Sequence, residues 1–168
     1  MGRLTITAPR TASDVTIGRG IWKWLREHKV RAELEYDGGH VRVAMPFDGQ
    51  KSLGVGLDAL TAWNMAALKE RPLSGIYQAG VRYAREPMCR LNGSERLCEE
   101  WLTAHEVVER GQGDCDDLGP WLAAQLRLQG DRAAQAFAKP SAAGWHIVVR
   151  RGDGSIEDPS AKLGMPTS

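Results

Sequence analysis

The sequence predicts an α+β domain in which helices precede an antiparallel sheet. Apolar residues recur at helical spacing over 57–68 and again over 118–126, which predicts two amphipathic helices. Residues 133–138 and 145–150 are typical of strands, and residues 155–158 form a short return strand that ends before Pro159. Runs of helices followed by runs of strands are typical of this fold class.

The first part of the chain predicts a small β-rich unit. Residues 3–8 alternate in polarity, and two further alternating segments flank Asp-Gly-Gly at 37–39, which predicts a hairpin because glycine supplies the positive φ of a tight turn. Residues 21–25 fit either a strand or a helical turn. We therefore divide the chain into a β-rich unit of residues 1–50 and a main domain of residues 51–168.

Three further stretches separate this unit from the most informative region. Residues 46–54 and 88–95 predict loops, since both are interrupted by glycine and polar residues. Residues 76–85 and 101–109 predict two additional helices, the first ending at Pro87.

Composition limits the classes of partner. The chain has 168 residues and a formal net charge of +1, which gives no strong electrostatic basis for binding nucleic acid or an anionic membrane. The longest apolar run is too short to span a bilayer, and no long apolar segment follows the first charged residue, so we expect no signal peptide. Three cysteines leave at least one thiol unpaired within the chain, which favours a reducing compartment such as the cytoplasm.

Cys115 is the candidate nucleophile. It follows Asp114, a good N-cap residue, and is expected to open the helix that continues to about residue 129. The positive end of a helix favours a thiolate, so we expect a lowered pKa. Gly111 and Gly113 allow a sharp turn and the approach of a substrate carbonyl, for which the N–H of Cys115 is a candidate oxyanion donor.

A cysteine nucleophile needs a base and a group that orients this base, and His146 and Asp158 are the candidates. Side chains alternate along a strand, so the two residues share a sheet face only if the loop between their strands has an odd number of residues. Residues 152–154 suit a three-residue loop with Gly154 in a left-handed conformation. The sequence permits the pairing without requiring it.

Three sequence blocks resemble those of the transglutaminase-like, papain-type superfamily. They are Trp-Leu-Thr-Ala-His-Glu-Val-Val-Glu-Arg-Gly-Gln-Gly-Asp-Cys-Asp-Asp-Leu at 101–118, Gly-Trp-His-Ile-Val-Val at 144–149 and Ile-Glu-Asp-Pro-Ser at 156–160. The resemblance covers roughly residues 73–165. The segment 157–165 is similar, more narrowly, to small transglutaminase-like proteins encoded among the structural genes of tailed phages. Gly119-Pro120 departs from the pattern, since relatives continue the helix with alanine-like residues there.

The resemblance implies roles as well as a fold. It makes Cys115 the nucleophile, His146 the base and Asp158 the orienting residue of a cysteine peptidase, amidase or acyltransferase that needs no cofactor. It also implies a protein or peptide substrate, phage structural proteins as partners in particle assembly, and a location in the host-cell cytoplasm or the virion.

Several alternatives stay open. The chain could be a phage structural or assembly protein that keeps the fold without turnover, in which Cys115 is only a small core residue. Asp116 and Asp117 could bind a metal with His146, although charge matched to the helix N-terminus explains them better, so we expect no metal. Cys89 and Cys98 could form a disulfide in an oxidising setting. The N-terminal unit could border the cleft, form an oligomer contact, or complete the core.

Overall fold

A computed structural model describes residues 2–47, 50–85, 88–91, 94–97, 100–141 and 144–166. The strands within these residues are β1 (Gly2–Pro9), β2 (Glu33–Asp37), β3 (His40–Phe47), β4 (Arg82–Tyr83), β5 (Met88–Leu91), β6 (Ser94–Leu97), β7 (Glu100–Leu102), β8 (Gln112–Gly113), β9 (Gln135–Ser141), β10 (Gly144–Arg150) and β11 (Ile156–Glu157). The helices are α1 (Ala12–Glu27), α2 (Gln50–Glu70), α3 (Ala104–Arg110), α4 (Cys115–Leu128) and α5 (Pro159–Lys162). The chain is therefore a mixed α+β protein, as the sequence predicts.

The N-terminal strands form a four-stranded sheet in the order β2-β3-β1-β7. The predicted hairpin is confirmed, since β2 and β3 pair antiparallel with Asp37 opposite His40. β1 lies between β3, with which it is antiparallel, and β7, with which it is parallel, so that Ile6 faces Trp101. A strand from beyond residue 50 thus completes the N-terminal sheet.

The prediction of a unit built of strands missed α1. Residues 21–25, left open between strand and helix, lie within this helix of 16 residues. Its N-cap is Thr11, whose hydroxyl accepts a hydrogen bond from the Asp14 N–H. One face of α1 is buried, and Gly18 is required on it because an added Cβ would lie 2.9 Å from Cη2 of Trp63. Helix α1 is therefore stabilised by this packing as well as by its N-cap.

Three further segments also differ from expectation. The helix predicted over 76–85 is wrong: the segment turns and then forms β4, which pairs in parallel with β8. The loop predicted over 88–95 instead forms most of the antiparallel hairpin β5–β6, whose connecting Asn92 and Gly93 lie outside the described residues. Helix α2 begins at Gln50, inside the predicted loop of residues 46–54.

The predicted C-terminal antiparallel sheet is confirmed, with strand order β11-β10-β9. β10 is its central strand and packs against α4. The core is continuous from Leu4 in β1 to Val149 in β10, and it includes the fully buried Trp63, Trp101 and Trp121. Residues 1–50 and 51–168 therefore share one hydrophobic core.

Helix α2, at 21 residues the longest described, contributes to this core and contacts α1, α4 and β9. It carries Trp63 together with the buried polar residues Thr61 and Asn64. Their hydrogen bonds are internal: Thr61 donates to the Leu57 carbonyl and Asn64 accepts from the Ala104 N–H. In the part of the chain that the structure describes, no helix has the length and apolarity needed to cross a membrane.

Candidate active site

Cys115 is the first residue of α4, as predicted. The Asp114 side chain caps the helix by accepting a hydrogen bond from the Asp116 N–H at 3.2 Å. In return, Oδ2 of Asp117 accepts a hydrogen bond from the Asp114 N–H at 3.1 Å, which completes a capping box. These two capping hydrogen bonds thus fix the backbone of Cys115 at the start of the helix.

The start of α4 is also tied to the N-terminal sheet. The second carboxylate oxygen of Asp117, Oδ1, accepts a hydrogen bond at 2.6 Å from the N–H of Leu102, the last residue of β7. Asp117 is 1% exposed, so this bond is shielded from water. The helix that carries the candidate nucleophile is therefore held against the strand that pairs with β1.

His146 and Asp158 meet because the loop between β10 and β11, residues 151–155, has an odd number of residues. The Arg151 N–H donates to the Ser155 carbonyl at 2.9 Å, and Gly154 has a φ of +85°, as the loop type requires. His146 and Asp158 consequently share a sheet face. Nε2 of His146 lies 2.7 Å from Oδ2 of Asp158.

Asp158 holds the imidazole from a fixed position of its own. Its Oδ1 accepts a hydrogen bond at 3.0 Å from the Ala161 N–H, so the side chain is also the N-cap of α5. Its Oδ2 is thereby directed at the ring of His146, which is 8% exposed. With Nε2 taken by Asp158, Nδ1 is the ring nitrogen that remains for a reacting group.

The thiol of Cys115 lies against the strand that carries His146. The N–H of Ile147, the residue after His146, donates a hydrogen bond to this thiol. The N–H of Cys115, expected as an oxyanion donor, acts to lower the pKa of its own thiol. The structure thus brings the thiol to β10 and His146 to Asp158, and among the described residues no hydrogen bond joins the thiol to the His146 ring.

The expected lowering of the Cys115 pKa is wrong. Burial, followed by the negative charge of Asp114, raises the pKa of the Cys115 thiol to about 12. The hydrogen bond from the Ile147 N–H acts in the opposite direction without overcoming these effects. At neutral pH the residue is therefore a neutral thiol, which needs a base at the moment of reaction.

We expect Asp114→Asn to make Cys115 more reactive. Asparagine also caps helices well, so α4 keeps its start, while the negative charge that raises the pKa of the thiol is removed. A lower pKa means more thiolate at a given pH, and each unit corresponds to about a tenfold change in thiolate fraction. The measurement is the rate of Cys115 alkylation by iodoacetamide between pH 7 and 10.

The matched control for this prediction is Asp58→Asn, which removes an exposed carboxylate from α2. Its alkylation profile should overlay that of the unmodified protein. Equal profiles for the Asp114 and Asp58 variants would show that Asp114 does not raise the pKa of the thiol.

A second cluster, which the sequence did not reveal, fixes the end of β11. Glu157 accepts hydrogen bonds from Tyr77 at 2.7 Å, Lys162 at 2.7 Å and Arg151 at 3.2 Å. Burial and then the bond to Glu157 raise the pKa of Tyr77. The cluster immediately precedes Asp158. Because Tyr77 is 80 positions from Glu157 in the chain, no local pattern indicates the pairing.

Among the described residues, Asp114, Asp116 and Asp117 could together hold a cation, since their carboxylate oxygens lie within 4.8 Å of one another. Both oxygens of Asp117 and one of Asp114 already accept backbone hydrogen bonds. Burial, followed by the Asp114 carboxylate, raises the pKa of Asp116, which favours a proton shared between these two side chains. The geometry therefore supports helix capping.

Comparison with known proteins adds no relative: no family model, curated protein or solved structure matches the chain. The relationship to transglutaminase-like proteins thus stays a prediction from the three sequence blocks. The disulfide between Cys89 and Cys98 also stays a hypothesis, because Cys98 lies outside the described residues.

Proposed function

We propose that the protein is a cysteine-nucleophile acyl-transfer enzyme acting on an amide bond of a protein or peptide. The observation that carries the proposal is the 2.7 Å contact between Nε2 of His146 and Oδ2 of Asp158. The N–H of Ile147, the residue after His146 in β10, bonds the Cys115 thiol. A base held by a carboxylate, next to a cysteine nucleophile, is what cysteine acyl transfer needs, so this arrangement supports the proposal. The sequence resemblance supports a peptidase, amidase or transglutaminase-type activity in phage particle assembly.

The first chemical step starts from the neutral thiol. His146 takes the Cys115 proton as the sulfur attacks the substrate carbonyl, so that a C–S bond forms and the carbonyl oxygen becomes an oxyanion. Asp158 stabilises the imidazolium that results. When the tetrahedral intermediate collapses, the C–N bond breaks, His146 passes the proton to the leaving amine, and a thioester remains on Cys115.

The second step returns the enzyme to its starting state. Water or a second amine attacks the thioester while His146 accepts a proton from it. The C–S bond breaks, the proton passes to the sulfur, and an acid or a new amide leaves. The same residues serve hydrolysis and transfer, so the acceptor decides the outcome.

The raised pKa of Cys115 favours a second candidate: a structural or assembly protein that retains the fold without turnover. Cys115 is half-buried against the hydrophobic core, and a neutral thiol in such a place is typical of a cysteine that only packs. The two candidates differ in whether His146 increases the reactivity of Cys115.

An acylation experiment tests the proposal. We expect p-nitrophenyl acetate to release p-nitrophenolate in a burst equal to the protein concentration and to leave an acetyl group on Cys115, located by peptide mass spectrometry. Cys115→Ala should abolish the burst, and His146→Ala should slow it about 100-fold or more, the usual contribution of a general base. A primary amine added afterwards separates transfer from hydrolysis by the ratio of amide to acetate.

Two controls complete the experiment. His28→Ala removes an exposed histidine at the end of α1 and should leave the burst unchanged. N-acetylcysteine at the same pH gives the rate of an ordinary thiol. If Cys115 acylates no faster than N-acetylcysteine, and His146→Ala has no effect, the acyl-transfer proposal fails and the second candidate stands.

A further inference from the structure

Helix α4 packs closely against the C-terminal sheet at Gly119. A Cβ added to Gly119 would lie 2.7 Å from Cγ2 and 3.6 Å from Cβ of Ile147. Non-bonded carbon atoms prefer separations of about 3.5–4.0 Å, so no larger residue fits here without movement. Gly119 therefore lets β10 lie closer to α4 than a side chain would allow.

Neither side of this contact can move aside easily. Ile147 is 2% exposed, and as a β-branched residue it has little freedom at χ1. Its strand β10 is held between β9 and β11. On the other side, the α4 residues next to Gly119 are buried. A side chain at position 119 would have to separate the helix from the strand.

The contact also bears on the candidate nucleophile. Gly119 follows Cys115 by four residues in α4, so the two lie on one face of the helix. The residue that Gly119 contacts, Ile147, is the one whose N–H bonds the Cys115 thiol, and it directly follows His146. The contact between Gly119 and Ile147 thus sets the separation between the helix that carries the thiol and the strand that carries the imidazole.

We propose that Gly119 is a positioning residue whose lack of a side chain sets the distance between Cys115 and His146. The inference rests on the acyl-transfer function proposed above. A displacement of about 1 Å at a reacting group can reduce the rate about 100-fold, so a single methyl group at this position should uncouple the base from the thiol.

A competing explanation involves Pro120. The residue before a proline is disfavoured in a helix because the proline ring approaches its N–H and Cβ, and glycine, which has no Cβ, relieves part of this clash. Second-site variants separate the two explanations. Ile147→Ala removes the Cγ2 atom that a new Cβ would meet, Ile147→Val keeps that atom, and Pro120→Ala removes the ring.

The test is a double-mutant cycle read by iodoacetamide alkylation of Cys115 at pH 8, with unfolding monitored by circular dichroism. In the unmodified protein, His146→Ala should slow alkylation about tenfold or more. In the Gly119→Ala background, where alkylation is already slow, His146→Ala should change the rate by less than about twofold. Adding Ile147→Ala to Gly119→Ala should restore the sensitivity to His146→Ala, and adding Ile147→Val or Pro120→Ala should not.

Each result decides the question. If Gly119→Ala does not fold, the double variants decide: folding and His146 sensitivity restored by Ile147→Ala support the inference, and restoration by Pro120→Ala overturns it. If His146→Ala has its full effect in the Gly119→Ala background, the inference fails while the proposed function survives. If His146→Ala has no effect in the unmodified protein, the proposed function itself fails.

Discussion

Asp158→Asn should reduce acylation of Cys115 by p-nitrophenyl acetate about 1,000-fold while leaving the fold intact. An asparagine oxygen can still accept the Ala161 N–H bond that caps α5, since asparagine is as good an N-cap as aspartate. It cannot supply the negative charge that faces Nε2 of His146 and stabilises the imidazolium. The measurements are the burst rate and the midpoint of thermal unfolding.

The control for this prediction is Asp153→Asn, which changes an exposed carboxylate in the loop between β10 and β11. Asp153 accepts the Ser155 N–H at 2.9 Å, a bond that asparagine can also make. Its burst rate should equal that of the unmodified protein. If the Asp158→Asn protein acylates at the normal rate, the His146–Asp158 contact has only a structural role.

Asp14→Asn should destabilise the fold strongly. Asp14 is fully buried and accepts hydrogen bonds from Arg71 at 2.5 Å, Thr11 at 2.7 Å and Trp63 at 3.3 Å. Removing its charge leaves the Arg71 guanidinium without its partner, which should cost about 3 kcal/mol, the lower end for a broken buried pair because a third of the Arg71 side chain is exposed. The midpoint of thermal unfolding should fall by about 6–12 °C.

Glu27→Gln is the matched control, since it breaks the ion pair with Lys23 on the same helix. That pair is 3.9 Å long, and both side chains are more than half exposed. Exposed pairs contribute about 0–1 kcal/mol, so unfolding of this variant should be nearly unchanged. Equal stability losses for the two variants would mean that burial does not strengthen the Asp14–Arg71 pair.

The features that the sequence predicted correctly depend on local chemistry. The cap at Asp114, the start of α4 at Cys115 and the turn at residues 152–154 each involve residues within a few positions of one another. Cap residues and turn glycines have definite conformational preferences, so their patterns specify geometry without knowledge of the rest of the fold. The His146–Asp158 contact follows from such a turn.

The features that the sequence did not predict depend on residues far apart in the chain. The high pKa of Cys115 arises first from burial, which the local helix-terminus argument did not include. The false helix over 76–85 has apolar residues at plausible spacing, but β4 pairs with β8, some 30 positions later. Tertiary pairing overrode the local preference in that segment.

The parallel pairing of β1 with β7 determines when the N-terminal sheet can be completed during synthesis. Thr7 and Glu100, whose side chains are hydrogen-bonded, are 93 positions apart. Until residues 100–102 have left the ribosome, β1 is an open edge beside β3, and open edges are where chains pair wrongly with one another. Contacts of such long separation also slow folding. The nascent chain therefore carries an unprotected edge strand while the residues between β3 and β7 are synthesised.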